Sequence, residues 1–337
     1  MRILPLASLV SALLLTGTVA PAADPLELKI AALAPTGSAD MTLLTKAASD
    51  LQDRTSGRVL VKYFSVGNHG DEHDAVRKMN LQQLQGSYLT GVGLAFIDES
   101  IRVFELPRLF ASAAEADYAM DQLWPYFQKK FEAKGFRLDD RVGAIFGQFL
   151  SANEIKSADD LKAQKVGLWT DDVVMRALYK QLGVAGVPLG EAEVQPAFLS
   201  GRINAAYSSP LTATEQQWDT KIKYVSSAPV SLGLTALVLK LDSFKKMSTA
   251  DQQLFANYSK AESITLRSGQ RTNEDAAQKS IIRKGVTVTV ATAAVNAALD
   301  TASQAVWAGL TDKVFTKAEL AMVLKSRDEY RAKHSAH

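Results

Sequence analysis

The chain has 337 residues, 47% hydrophobic and 22% charged, with 38 Lys and Arg set against 36 Asp and Glu. So even a balance removes any electrostatic case for nucleic acid as a partner. Cysteine is absent, which excludes disulfides and thiolate metal sites; a packed core must supply the stability, and the length favours two lobes.

Arg2 supplies a positive n-region, residues 3–19 are apolar with few interruptions, and Ala20-Pro21-Ala22 offers an A-x-A cleavage site. The expectation is a secretory signal peptide over residues 1–22, cleaved near Ala22, and a soluble, extracytoplasmic mature chain. The apolar run is shorter than the ~20 residues of a membrane span, and Gly17 and Pro21 interrupt its end. No cysteine follows that could carry a lipid, and no later apolar run is long enough to cross a bilayer.

In chain order, residues 26–33 alternate apolar and polar side chains and predict a first strand. The turn Ala34-Pro35-Thr36-Gly37-Ser38 leads into a helix over 39–55 that Gly57 ends. A second strand over 59–64, a helix over 71–84 stopped by Gly86, and a third strand over 89–94 complete one strand–helix unit. Residues 166–169 are a short apolar strand, and Asp171-Asp172 caps the helix after it. Val187-Pro188-Leu189 is a strand edge, 192–200 a helix closed by Gly201, and 203–207 a strand ending in Ser208-Ser209-Pro210. Such short alternating units predict a parallel α/β sheet. Small polar residues at the C-terminal ends of its strands are where sheets of this kind bind ligands.

The stretches 85–92 and 199–207 both leave a helix on glycine and enter a strand of small residues, so the two halves echo each other. Residues 143–150 and 234–240 are extended and predict crossover strands that double as hinges, with Gly147 among the residues that absorb the motion. Residues 248–283 hold no proline and one glycine, Gly269, and predict a long helix or kinked pair with Thr249 as N-cap. A strand over 286–290 and helices from 292 onward finish the chain.

The segments LKIAALAPTGS, SGRVLVKYF, GNHGDEHDAVRKMNLQQLQGSYLTGVGLA and VFELPRLFASAAEAD, then KSADDLKAQKVGL, LGVAGVPLGEAEVQPAFLSGRINAAYSSPL and GVTVTVATAAVNAAL, occur in this order over nearly the whole mature chain. Their order resembles that of the solute-binding subunits of TRAP transporters, the DctP-type family. The resemblance implies an α/β bilobal periplasmic-binding-protein fold, two α/β lobes joined by crossover hinge strands and long C-terminal helices. Lobe I is expected to take residues 23–146 plus 236–270, and lobe II residues 147–235 plus 271–337. It further implies a periplasmic receptor, without enzymatic activity or cofactor, that captures a small-molecule ligand between the lobes and delivers it to TRAP-type membrane subunits for ion-gradient-driven uptake.

One departure bears on the cargo. Well-known family members hold a substrate carboxylate with an arginine, whose planar fork suits it, where this chain has Gly167 or Leu168, followed by Trp169 and the acidic Asp171-Asp172. The Leu-Trp-x-x-Asp element, with Tyr207-Ser208-Ser209-Pro210 and Gln217-Trp218, resembles a divergent branch that lacks this arginine. Some members of that branch are linked to a periplasmic TPR-repeat protein. A small apolar or weakly polar ligand is therefore expected. The ligand-binding residues expected from place and resemblance are Thr36, Asn68, Gly93, Phe96, Gln148, Phe149, Gly167, Trp169, Asp171, Glu191, Tyr207, Ser209 and Trp218. Several of these aromatics have core packing as their plain alternative.

Two other functional classes have sequence features to consider. His69-Gly70-Asp71-Glu72-His73-Asp74 has metal-ligand residue types and would serve a metal-dependent periplasmic hydrolase. Gly70 inside the spacing argues instead for a helix N-terminus, with Asp71 and Glu72 complementing its dipole, so no metal is assigned. There is no G-x-S-x-G or HExxH for nucleophilic or zinc catalysis. The remaining alternative keeps the fold but works as a carrier or sensory receptor without TRAP membrane subunits.

Overall fold

The computed structural model describes residues 24–65, 70–190 and 193–334. Strand β1 (Leu26–Ala32) pairs in parallel with β2 (Val59–Ser65), placing Leu26 opposite Val59 and Ala32 opposite Ser65. Between them runs helix α1 (Ala39–Arg54), whose N-cap Ser38 accepts a hydrogen bond from the Met41 N–H. Helix α2 (Glu72–Asn80) starts on Asp71, which accepts from the Asp74 N–H. It stops short of the predicted residue 84 because Gln82 takes a left-handed conformation.

Strand β3 (Gly86–Thr90) pairs with β1, and here the structure departs from the expected strand over 89–94. The chain turns at Thr90, whose side chain caps a short helix, α3 (Gly91–Ala95). Gly91 and Gly93 allow this because the Glu105 and Glu72 carboxylates occupy the space their side chains would take. A 3-10 turn over Glu99–Glu105 and helix α4 (Ala113–Ala133) follow.

Strand β4 (Phe136–Ser151) ties the molecule together. The chain continues through α5 (Ala158–Lys162), β5 (Val166–Trp169), α6 (Val173–Leu182), β6 (Gly186–Leu189), α7 (Val194–Ser200), β7 (Ala205–Ser208) and α8 (Pro210–Glu215). Then come β8 (Tyr224–Ser226), β9 (Ser231–Lys240), α9 (Leu241–Lys245), α10 (Thr249–Arg283), β10 (Thr287–Thr289), α11 (Ala293–Leu310) and α12 (Lys317–His334). The sheet order is β2-β1-β3-β9-β4-β7-β5-β6, with β8 on β4 and β10 on β8. Up to Gly147, opposite Ser231, β4 pairs with β9; from Gln148, opposite Ser208, it pairs with β7. The two halves of the fold meet at that step.

The N-cap of α10 is Ser248, not Thr249: its hydroxyl accepts from the Asp251 N–H. Its 35 residues form one helix, which packs on both halves through Phe255 and Leu266 in one cluster and Ile281 in another. A third and larger cluster joins Phe104 and Phe127 to Leu168, Met175 and Val306, so apolar packing also continues from one half to the other. Fully burying each such side chain contributes about 1.5–3 kcal/mol. Among the described residues, no helix is long and apolar enough to cross a membrane.

Candidate functional site

A cleft of ≈ 320 Å³ opens between the two halves, at the ends of the strands. The turn after β1 contributes Leu33 and Pro35, the start of α3 contributes Gly91 and Val92, and β4 contributes Gly143, Ile145 and Gly147. From the other half come Trp169 at the end of β5, Asp172 and Met175 at the start of α6, and Tyr207 to Ser209 at the end of β7. Strand β9 supplies residues 231–235, and α10 supplies Gln270. Strand ends and helix starts converge here because parallel α/β units place their connecting turns on one edge.

The floor is polar and closed. Arg102, in the 3-10 turn, donates from Nη2 to Asp172 Oδ1 over 2.6 Å, and its Nε lies 2.7 Å from Glu105 Oε2. Asp172 also caps α6, accepting from the Val174 and Met175 N–H groups over 3.1 Å. Glu105 Oε1 accepts from the Leu234 N–H, and the Tyr207 hydroxyl donates to the Ser231 carbonyl over 3.0 Å. Burial opposes the charge on Arg102, but Asp172 and Glu105 more than offset it and hold its pKa above the usual value. Burial pushes the Glu105 carboxyl up, and Arg102 pulls it back only partly. Burial likewise raises the Tyr207 hydroxyl. Gly147 is required at its position because a Cβ there would collide with the Tyr207 ring.

Of the residues expected from sequence, Trp169, Tyr207 and Ser209 line this cleft. Phe149 does not: it is buried, with its ring centroid 6.2 Å from that of Tyr179 and 6.3 Å from that of Tyr207, behind the wall. Trp218 is 2% exposed and packs on Phe198, so the core alternative holds for it. Phe96 meets the His73 ring edge-on outside the cleft, and Thr36 is solvent-exposed beside Pro35. Gly93 sits behind the wall against Glu72. Gln148 follows Gly147 on the strand, so its side chain points to the opposite face. Gly167 faces Leu189 and Ile203, beneath the cleft. Asp171 is exposed, and its neighbour Asp172 takes the wall position instead. Asn68 and Glu191 lie outside the described residues.

Arg102 and Glu105 escaped the sequence reading. Their signal was a pair of opposite charges three residues apart inside the apolar run Ile101-Arg102-Val103-Phe104-Glu105-Leu106; two charges in so apolar a run must find each other or another buried partner. The cluster over 69–74 disperses. Asp71 caps α2, Asp74 pairs with Arg77 at 2.9 Å, and Glu72 accepts from the Thr90 N–H and hydroxyl. His69 lies outside the described residues. Among the described residues no group of three or more His, Asp or Glu could hold a metal.

Comparison with known proteins agrees with this architecture. A TRAP periplasmic solute-binding protein from Xanthobacter autotrophicus Py2, with bound β-D-galacturonate, superposes with a TM-score of 0.82 at 18% identity, covering 89% of this chain and 99% of that one. DctP7, a Bordetella pertussis extracytoplasmic solute receptor binding pyroglutamic acid, gives 0.80 at 16% identity, covering 90% and 99%. At such identities the likeness establishes the bilobal fold. The uncharacterized protein YiiZ of Salmonella typhimurium is 25% identical over 170 residues, 49% of this chain and 51% of that protein. The chain thus spans about half the length of this curated relative. The family model described as "Bacterial extracellular solute-binding protein, family 7" matches residues 30–314, nearly the whole described chain, and so the protein belongs to the DctP family of solute-binding proteins.

Proposed function

We propose that the protein is a periplasmic receptor that closes over a small, apolar or weakly polar solute and hands it to TRAP-type membrane subunits for ion-gradient-driven uptake. The observation that carries this reading is the ≈ 320 Å³ cleft, walled from both halves, in which apolar side chains such as Val92, Ile145, Trp169, Met175 and Leu232 stand beside polar ones. A cavity of that size suits a small molecule. The lobes are taken to part at the step from Gly147 to Gln148, where β4 changes partners. Closure is driven by cargo only if cargo binds the closed state more tightly than the open one.

The ligands bound in the related structures named above are carboxylates, and this cleft is a poor match for them. Among the described residues its wall bears Glu72, Glu105, Asp172 and Glu215 against one cation, Arg102, which two of those carboxylates already pair. The position expected to match the family arginine is Gly167 or Leu168; Gly167 faces Leu189 and Ile203, and Leu168 is buried. Mass spectrometry of the purified protein tests the reading. The native mass should exceed the chain mass by one small solute, which appears free after denaturation and proves uncharged. A carboxylate released in stoichiometric amount would contradict the assigned cargo class.

A further inference from the structure

A second cavity of ≈ 160 Å³ lies beside the cleft, between the turn after β1, the start of α1 and helix α10. Leu33, Pro35, Glu215, Thr235 and Gln270 line both spaces, so the two are neighbours across a shared wall. The floor of the second cavity is apolar and buried, built from Ala32, Leu44, Val142 and Leu266. Its carboxylates are less deeply placed: Asp40 is half-buried and Glu215 exposed, within reach of water at the rim. Gln270 follows Leu266 by four residues, so both stand on the same face of α10.

Gln270 is loosely held in the shared wall. Its Oε1 is buried and has no hydrogen-bond partner among the described residues. The amide reaches β4 only because position 143 is glycine, where a Cβ would overlap that oxygen. A buried acceptor without a partner is costly, so a rotation that brings the amide to water or to cargo is favoured, and it would open the wall.

We infer that the cavity behind Gln270 is a second chamber of the cargo site, which takes an apolar arm of the solute while the rest of the solute stays in the main cleft. This rests on the solute-receptor reading and names the shape of its cargo. Size sets the arm: an apolar cavity of about 150 Å³ holds benzene, so the chamber suits a group of about six carbons. The uncharged floor rewards such a group by taking it out of water, and an arm in the chamber replaces a void that core side chains leave unfilled. Cargo is then a two-part molecule, and Gln270 is the side chain that gates its second part.

The test is a fluorescence titration of the mature protein with two uncharged aromatic amines, 1-naphthylamine and N-phenyl-1-naphthylamine, which differ by one phenyl ring. The second should bind about tenfold or more tightly, because its added ring leaves water for the chamber. Ala34 lines the chamber and not the cleft, so Ala34→Phe should fill that space and bring the ratio of the two affinities down to about one. A measurement on the unaltered protein guards against misfolding of the variant. In methyl-labelled protein, the phenyl protons should give nuclear Overhauser contacts to the Leu44 and Leu266 methyls, which also line the chamber alone. Phenyl contacts confined to cleft methyls such as those of Ile145 and Leu232 would overturn the inference and leave the receptor reading standing. Equal affinity for the two amines, or a gain that survives Ala34→Phe, would do the same. Binding of neither amine would count against both.

Discussion

Arg102 and Asp172 join the two halves of the fold: Nη2 meets Oδ1 at 2.6 Å, and the two side chains are 3% and 8% exposed. Arg102 follows β3 and packs beside β9, whereas Asp172 starts the helix after β5. Removing one partner of a buried pair strands the other, at a cost of about 3–5 kcal/mol, and Asp172 also caps α6. Asp172→Ala is therefore expected to lower unfolding stability by at least ~3 kcal/mol in urea titration. Lys325→Ala, which breaks the exposed pair with Glu329 at 3.9 Å, should change it by no more than ~0.5 kcal/mol. Equal effects would mean that the pair across the halves carries no special weight.

Two tryptophans separate wall from core. Trp169 is half-buried at the end of β5 and faces the cleft. Trp307 is buried on α11, with its indole N–H donating to the Pro107 carbonyl over 2.9 Å. Trp307→Ala should cost about 3–5 kcal/mol of stability. Trp169→Ala should cost far less and weaken cargo binding strongly, because a side chain wet in the open state leaves no sealed cavity. Denaturation midpoints and titration of the co-purified solute would show this. A core-like loss at Trp169 with affinity intact would move the site elsewhere.

A buried carboxyl makes stability depend on pH. Glu262 on α10 accepts hydrogen bonds from Tyr88 at 2.6 Å and from Tyr63 and Tyr258 at 3.0 Å. Burial nonetheless pushes its pKa from 4.5 up to about 7. The folded state then holds this proton more tightly than the unfolded one, so the contribution is fully present below the unfolded pKa and is lost as pH rises through about 7. The melting temperature should fall between about pH 5 and pH 8, and Glu262→Gln, which keeps an acceptor for the tyrosines, should flatten that fall. A steeper slope in the variant would show the reasoning to be wrong.

The charge of the cleft gives a selectivity prediction. D-Glucuronate, β-D-galacturonate, succinate and malate are each expected to leave the melting temperature unmoved at millimolar concentration, since binding stabilises as RT ln(1 + [L]/Kd). A clear upward shift with any of them would mean that Arg102 is free to take a carboxylate despite Glu105 and Asp172.

Much of the fold was legible because local signals and tertiary packing agreed. Strand β5 falls on its predicted residues, and Gly201 closes α7 in the left-handed conformation that glycine favours. The extra turn at Gly91–Ala95 was not legible. An apolar run beginning at Leu89 reads as strand, and only the Glu72 and Glu105 carboxylates, brought against Gly91 and Gly93 by the fold, show why it turns. The site divided along the same line. Strand-end residues such as Trp169 and Tyr207 reached the wall because period and chain order fix where strand ends go. Phe149 and Trp218 share their residue type, but packing against Tyr179 and Phe198 decides their direction. Arg102 was the harder case, since its role depends on an ion pair with a residue 70 positions away.

Small-angle scattering of stripped and cargo-loaded protein tests the central claim most directly. If the cleft between the halves is a solute site that closes at the Gly147 step, loading must shrink the radius of gyration, and Trp169→Ala must blunt the change at equal cargo concentration. Superimposable profiles for samples verified as empty and loaded would contradict it.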